Sequence, residues 1–465
     1  MVRYNGAVGL IPKNLTLGEV NMLSVIERDV IKKARELNVR FIRLQFTDIL
    51  GHFKNLAITI SQLERAFEEG ILFDGSSIQG FTRIHESDMY LRPDPNTLTI
   101  FPWRPKEGGA VARLICDIYT PKGEPFAGCP RNCLRRVIAE AQEMGYEMYA
   151  GPEPEFFLFE TDERGRPTKV TNDTGSYFDL SPLDRGEDAR RDIAITLEEM
   201  GFEIESSHHE VAPGQHEIDL RFSDCLSAAD NLATFRFVVK AIAKRHGLHA
   251  SFMPKPFFGE NGSGLHIHQS LFQKGINVFA DPNGEMGLSD LARSYVAGLM
   301  KHAPALCAIG NPTVNSYKRL VPGYEAPVDI TWSDKDRSTF IRIPAAGGQS
   351  TRVELRSPDP AANPYLIIAA SLKAGLDGIR EQLVPPPPTA ASTYELNAEE
   401  RRVLGVRSLP RNLREALDHL ANDTVLREML GEHIYDHYMK AKLVEWEVFS
   451  TQVHQWETEQ YLPTL

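Results

Sequence analysis

The sequence predicts an α+β protein in two parts: a small mixed domain, then a larger unit in which a sheet is backed by helices. Three observations carry this. The chain has 465 residues, 42% of them hydrophobic, more than one ordinary small domain needs for its core. A Pro/Gly-rich stretch, "KGEPFAGCPRN", interrupts the pattern and reads as a boundary. Beyond it, helical stretches alternate with short strands bearing glutamates and histidines, without strict βαβ repetition. The expected division is an N-terminal extension (1–21), a first domain (22–126) and a second (127–465).

Nothing in the extension suggests chemistry. "SVIERDVIKKARELN" (24–38) has helical periodicity, and "VRFIRLQFTD" and "HFKNLAITI" alternate like antiparallel strands around the turn signal "ILG". "SQLERAFEEG" reads as a short helix capped by Ser61, with Gly70 just past its end. "TLTIFPW" and "AVARLICDIY" add two strands. In the larger unit "CLRRVIAEAQEMG", "DARRDIAITLEEMG", "LATFRFVVKAIAKRHG" and "LSDLARSYVAGLMKHA" read as helices. "VPPPPTAAS" (384–392) is a stiff connector to terminal amphipathic helices.

With 51 Lys plus Arg against 63 Asp plus Glu, the net charge is −12, which argues against nucleic acid or an anionic membrane as partner. No signal peptide or spanning segment is visible, so a cytoplasmic protein is expected. Five cysteines without a CxxC pair predict reduced thiols rather than a disulfide framework or zinc cage. There is no Walker or GxGxxG loop, so anything that binds a nucleotide must hold its phosphates in another way.

The chemistry-bearing residues fall in four short segments. In "GPEPEFFLFE" (151–160), Glu153 and Glu155 share a strand face and repel, and Pro154 implies an edge or bulge. Such a pair is tolerable in a dry site only if one is protonated or cations neutralise them; alone it more often marks a solvated strand end. In "SSHHEVAPGQHEIDL" (206–220), Glu210 and Glu217 flank a Pro-Gly turn and could meet across a hairpin. "NGSGLHIHQSL" (261–271) puts His266 and His268 on one face, and "TRVELRSPDPAANPY" (351–365) spaces Arg352, Glu354 and Arg356 at period two. Alone, the last is an ordinary surface strand of salt-bridging charges.

Together they form a set of hard oxygen donors with an occasional imidazole, which suits Mg²⁺ or Mn²⁺ better than zinc. Two such ions would relieve the carboxylate repulsion and bridge polyphosphate. Arg319 and Glu325 in "NSYKRLVPGYEAP", with Arg337 and Arg342 in "DRSTFIRIP", supply a Pro/Gly-studded flap and bidentate grips for phosphate or carboxylate.

These residues resemble the glutamine synthetase family, type I, compact non-adenylylated subtype. "FDGSSIQGF", "GPEPEFFLF", "HHEVAPGQHEID", "NGSGLHIHQSL", "NPTVNSYKRLVPGYEAP", "IRIP" and "RVELRSPDPAANPY" match that family's signatures in order, from about residue 22 to the end. The resemblance implies an N-terminal β-grasp domain and a catalytic domain built on a curved antiparallel sheet. It also implies a dodecamer of two hexameric rings with active sites between subunits. The activity implied is ATP-dependent condensation of L-glutamate with ammonia through γ-glutamyl phosphate.

Carried over by motif position, Glu155, Glu210 and Glu217 would hold one divalent ion, and Glu153, His266 and Glu354 the other. Arg319, Arg356, Asn261 and Gly262 would hold glutamate. Arg337, Arg342 and Arg352 would handle the ATP phosphates, and Glu205, Phe222, His268 and Ser270 the rest of the nucleotide. Asp74, from the neighbouring chain, with Ser77 and Tyr177, would shape the ammonium site, and Glu325 would shield the intermediate.

Three departures mark this chain. Tyr394 aligns roughly with the modified tyrosine of the other subtype and is expected to stay unmodified. Arg83, a candidate for glutamine feedback, is followed by His85 where an acid is usual. Asp336 stands beside Arg337 where Asn is common, which could weaken a phosphate contact or form a local salt bridge. Two alternatives stay open at this level: a ligase for a larger amine, which would tend to lose the acids Asp74 and Glu325, and a non-catalytic nitrogen-sensing or structural relative, which would have lost metal ligands. Catalysis also leaves room for nitrogen-regulatory proteins as partners.

Overall fold

The structure is a computed structural model and describes residues 23–78, 80, 88–104, 107–345, 347–389, 399, 401 and 405–465. The N-terminal extension, Arg83, His85 and Tyr394 lie outside the described residues.

Helix α1 (Val25–Glu36) starts at a Ser24 capping box with Glu27, and its buried residues Val30, Ile31 and Ala34 join the first core. Strands β1 (Val39–Thr47) and β2 (Phe53–Thr59) pair antiparallel, as their alternation predicts. After helix α2 (Leu63–Glu68) come β3 (Ile71–Asp74), β4 (Asp88–Pro93), β5 (Thr99–Ile100) and β6 (Ala110–Tyr119). They form one sheet in the order β2-β1-β6-β4-β3, with β5 on β6 and a parallel β1–β6 pair. Ser61 is not the cap of α2. A 3-10 turn over Ile60–Gln62 leads into the helix, and the Ser61 hydroxyl pairs instead with that of Thr59 at 2.9 Å. Gly70 follows the helix at φ +80° as expected.

The larger unit runs α3 (Pro130–Glu143), β7 (Glu147–Thr161), β8 (Pro167–Thr171), α4 (Glu187–Glu199), β9 (Ile204–His209), β10 (Gln215–Leu220) and β11 (Ser223–Asp224). It continues with α5 (Cys225–Arg245), β12 (Leu248–Ser251), β13 (Leu265–Gln273), β14 (Ile276–Asn277), α6 (Asp290–Gly310), β15 (Trp332–Ser333), β16 (Ile341–Arg342), β17 (Val353–Leu355) and α7 (Pro364–Arg380). The terminal helices are Leu413–Asn422, Thr424–Ser450 and Gln455–Tyr461. The sheet order is β15-β16-β17-β13-β7-β10-β9. It is antiparallel except for β15–β16, and α6 and α7 supply much of the core behind it.

Strand β7 is therefore central, where Pro154 had implied an edge or bulge. Pro154 opposes Leu265 at the end of the β13 register, and from Glu155 onward the strand pairs with β10 and then β12. A residue without an amide N–H fits a central strand where its partners change. All five cysteines are free and buried, and burial pushes the Cys129 and Cys133 thiols up to about 11.

Arg131, 3% exposed, ties the two units together. It donates to Asp117 of the first sheet and to Asp94, just past β4, at 2.8 Å, and to Asp230 of α5 at 2.8 and 2.9 Å. A buried ionic knot thus bridges the first unit and helix α5 of the second.

Candidate active site

Four strands lay the glutamates and histidines side by side. Register places His266 opposite Glu153, Glu217 opposite Glu155, and Glu354 opposite both His268 and Arg342. Directly opposed residues on one face are close enough to touch, so two-residue periodicity in sequence becomes a continuous polar row across the sheet. Past the two carboxylates β7 is apolar over residues 156–159, and Phe156, Phe157 and Leu158 are all 0% exposed. The carboxylates project from a rigid base.

One group is Glu153, His266 and Glu354, whose ligand atoms lie within 4.8 Å of one another. His266 Nδ1 stands 3.5 Å from Glu153 and 3.8 Å from Glu354. His268 Nδ1 accepts from Arg352 Nε at 3.1 Å, so its Nε2 carries the hydrogen and donates to Glu153 at 2.6 Å. Arg342 donates to Glu354 at 2.8 Å and Arg356 grips its other oxygen. Burial alone would raise Glu153, but His268 and His266 reverse this and hold it well below the usual range. Glu354, likewise buried, is lowered by Arg356 and both histidines. At 1% exposure, Glu354 rules out the surface-strand reading of its segment.

The second group is Glu210, Glu217 and His208, again within 4.8 Å, with Glu155 beside it. Here the sign reverses. Burial and then Glu210 push Glu155 up to about 8, and burial and then Glu155 drive Glu217 well above its ordinary value. Gln215 and the Gly264 amide donate to one Glu155 oxygen at 2.8 and 3.0 Å. The other oxygen lies 4.0 Å from His266 Nε2, so Glu155 stands between the two groups.

The hairpin carrying Glu210 and Glu217 is braced from behind. His209 and His216, fully buried on the opposite face, meet Asp173 at 3.0 Å and Arg190 at 2.9 Å, and Arg190 in turn meets Asp184 at 2.8 Å. Asp173, Asp184, His209 and His216 also cluster geometrically, but Arg190 already supplies the balancing charge there.

The donor set fits divalent cations on two observations. Burial and mutual repulsion drive Glu155 and Glu217 toward protonation, a cost that a cation would remove. A Cβ at Gly264 would sit 2.9 Å from His266 Nε2, 3.2 Å from Glu155 Oε1 and 2.7 Å from Arg319 Nη2, so the space between the two groups exists because residue 264 has no side chain.

A cavity of about 180 Å³ opens beside Glu153, lined also by Glu205, Phe222, His268, Ser270 and Arg352. The expected nucleotide residues other than Arg342 and Arg337 thus line a single cavity. Arg342 instead lies on Glu354, as above. Arg356 also donates to the Arg337 carbonyl at 2.8 Å, and Arg319, 3% exposed, donates to the carbonyls of Ser357 at 2.7 Å and of Pro358 and Arg356 at 3.2 Å. Arg337 hydrogen-bonds Tyr177 and feels Glu325. Glu325 is exposed at φ +55° on its Pro/Gly segment.

Asn261 and Gly262 lead into β13, and the Gly262 carbonyl accepts from Gln215 at 3.2 Å. Asp74 ends the edge strand β3 of the first sheet and Ser77 lies in the turn after it, both exposed, and neither is among the residues lining the cavity or forming the two groups. Asp336 turns from Arg337 to Ser338, accepting from its amide and hydroxyl at 2.7 Å.

Sequence reasoning missed Gln215 and His208. The signal was available: Gln215 shares a strand face with Glu217, and His208 with Glu210, each two residues away.

A family model described as "Glutamine synthetase, beta-Grasp domain" matches residues 38–121, and one described as "Glutamine synthetase, catalytic domain" matches residues 127–461. A protein named glutamine synthetase from Clostridium saccharobutylicum is 56% identical over 441 residues, covering 95% of this chain and 99% of that protein. Another so named, from Staphylococcus aureus, is 55% identical over 435 residues, covering 93% and 97%. A solved structure described as "GmaS/ADP complex-Conformation 1" superposes with a TM-score of 0.85 at 36% identity, covering 94% of this chain and 99% of that one. With both family models in register along the chain, and relatives matched over nearly their whole length, this chain belongs to the glutamine synthetase family of ligases.

Proposed function

We propose that the chain condenses L-glutamate with ammonia to L-glutamine, converting ATP to ADP and phosphate through γ-glutamyl phosphate. The observation that carries this is the pair of carboxylate–imidazole groups on one sheet face, abutting a cavity that Glu153, His268 and Arg352 share. Among the described residues no helix is long and apolar enough to cross a membrane, and a cytoplasmic location fits that reading.

Glu155, Glu210 and Glu217 would hold one divalent ion, Mg²⁺ or Mn²⁺, and Glu153, His266 and Glu354 a second. Bound there, such ions would offset the charge of the phosphates and draw electron density from the transferred phosphoryl group. The chain's own residues do the rest. Glu205, Phe222, His268 and Ser270 hold the nucleotide, while Arg337, Arg342 and Arg352 spread the charge developing on the phosphoryl oxygens. Arg319 and Arg356, with Asn261 and Gly262, orient glutamate so that its γ-carboxylate faces the γ-phosphorus. Asp74 of a neighbouring chain, with Ser77 and Tyr177, takes a proton from ammonium to release nucleophilic ammonia. Glu325 closes with its flap and keeps water from the acyl phosphate. This requires an oligomer, and a dodecamer of two hexameric rings is the proposed state, with neither nucleic acid nor membrane as partner.

The test offers glutamate, ATP and Mg²⁺ with ammonium or with a panel of organic amines, following phosphate release and product mass. Glutamine formed fastest with ammonium is the expected result; faster release with an organic amine would sink the proposal. Arg83 is proposed as a feedback residue for glutamine, and inhibition unchanged in Arg83→Ala would refute that role.

A further inference from the structure

The two carboxylates of β7 each have an oxygen held by a neighbouring donor. Glu153 is held by His268 at 2.6 Å, and Glu155 by Gln215 at 2.8 Å and the Gly264 amide at 3.0 Å. Glu210 differs in position: it lies just beyond the last residue of β9, at the mouth of the hairpin turn, where its amide still donates to the Gln215 carbonyl at 2.8 Å. A carboxylate at a turn has more rotamer freedom to lose when it must face a cation than one inside a strand.

His208 lies two residues earlier on the same face and directly opposite Glu217. Its Nε2 is 2.9 Å from Glu210 Oε1, and because a carboxylate only accepts, that nitrogen carries the hydrogen and donates. The other Glu210 oxygen accepts from the Val211 amide at 3.1 Å, so the carboxylate plane is pinned at both ends. The imidazole is itself walled in. Tyr177 and Phe178 stack at 4.1 Å, and both meet the His208 ring edge-on, at 5.6 and 4.8 Å. Phe178 does so from φ +61°, a conformation that costs a non-glycine residue energy and persists only where the surroundings impose it. Its amide donates to the His209 carbonyl at 3.1 Å, so the aromatic pair is latched to the same hairpin.

We propose that His208 is a positioning residue for the cation site of Glu155, Glu210 and Glu217: its Nε2–H fixes Glu210 in a ligating orientation, and Tyr177 with Phe178 fixes His208. The two histidines of "SSHHE" then have opposite duties, His209 bracing the hairpin from behind and His208 aiming the carboxylate in front. The proposal rests on the cation-site reading above. Removing such an outer partner of a metal-binding carboxylate weakens metal affinity about 10- to 100-fold.

The experiment titrates Mn²⁺ into the full-length protein and its variants, reading free Mn²⁺ by electron paramagnetic resonance. Glu210→Ala should lose one class of site. His208→Ala should keep the number of sites but weaken that class at least about tenfold, and His208→Gln, which offers an N–H at similar reach, should recover most of the loss. Affinity unchanged in His208→Ala, or equally weak in His208→Gln, would overturn the positioning role while leaving the cation-site reading intact. Every site retained in Glu210→Ala would overturn that reading and the positioning role with it. Should His208→Ala not fold, Phe178→Ala frees the imidazole without removing it; a weaker site of the same class supports the proposal and an unchanged one refutes it.

Discussion

Glu153 and Glu155 stand two residues apart on one strand, on one face, yet they meet opposite fields. Glu153 lies among His266 and His268, with Arg342 and Arg356 on the adjoining Glu354, and is held ionised. Glu155 lies among Glu210 and Glu217 and is pushed toward its neutral form. The difference teaches that one carboxylate row is really two half-sites. The protein itself supplies ample positive charge to one, whereas the other gathers carboxylates whose mutual repulsion a cation would offset.

The largest expected effect separates the halves by their response to Mg²⁺. Glu153→Ala and Glu155→Ala should each cut phosphate transfer by about a thousandfold or more, since both remove a charge used in the transition state. Removing Glu153 leaves two imidazoles and two guanidinium groups facing Glu354 alone, so excess Mg²⁺ should not restore activity. Removing Glu155 leaves Glu210 and Glu217, and raised Mg²⁺ should restore part. Identical Mg²⁺ dependence of phosphate release in the two variants would erase the distinction.

Next in size is Gly264→Ala, which places a methyl group between the half-sites, 2.9 Å from His266 Nε2 and 2.7 Å from Arg319 Nη2. A loss of about a hundredfold in kcat/KM is expected from displacing those groups, with the melting temperature little changed. Near-wild-type turnover would show that the space between the halves is not needed. A far smaller effect is expected for Asp336→Asn: because Asp336 bonds Ser338 rather than Arg337, the KM for ATP should stay within about twofold of wild type.

How much of this was legible beforehand follows from what periodicity encodes. Face sharing at two residues predicted the pairs Glu153/Glu155 and His266/His268, and the Pro-Gly turn predicted the hairpin that carries Glu210 and Glu217; both appear in the register. Edge against centre was not legible, because Pro154's place depends on where β13 ends and β10 begins. Nor was the burial of Glu354, since alternating charge looks alike on a surface strand and on one facing a filled site. Ser61 failed as a cap for a local reason: the chain begins to coil one residue earlier, at Ile60. The opposed fields of the two glutamates come from residues scattered along the chain from Glu153 to Arg356, and no single segment carries that information.

The smallest effect tests the comparison most directly, in protein stripped of metal. Glu155 is held near 8 in the folded chain, above its value of about 4.5 when unfolded. Its contribution to stability is therefore fully present below about 4.5 and is lost as pH rises through about 8, because the folded state binds the extra proton. Glu153 is depressed, so its contribution is present above the ordinary carboxylate range and is lost as pH falls through its lowered value. Metal-free protein should thus lose a few degrees of melting temperature between about pH 6 and pH 8.5. Glu155→Gln should flatten that decline without moving the acid limb, and saturating Mg²⁺ should remove it in the wild type. A decline that survives both changes would mean that the carboxylates around Glu155 are not the charges a bound cation balances.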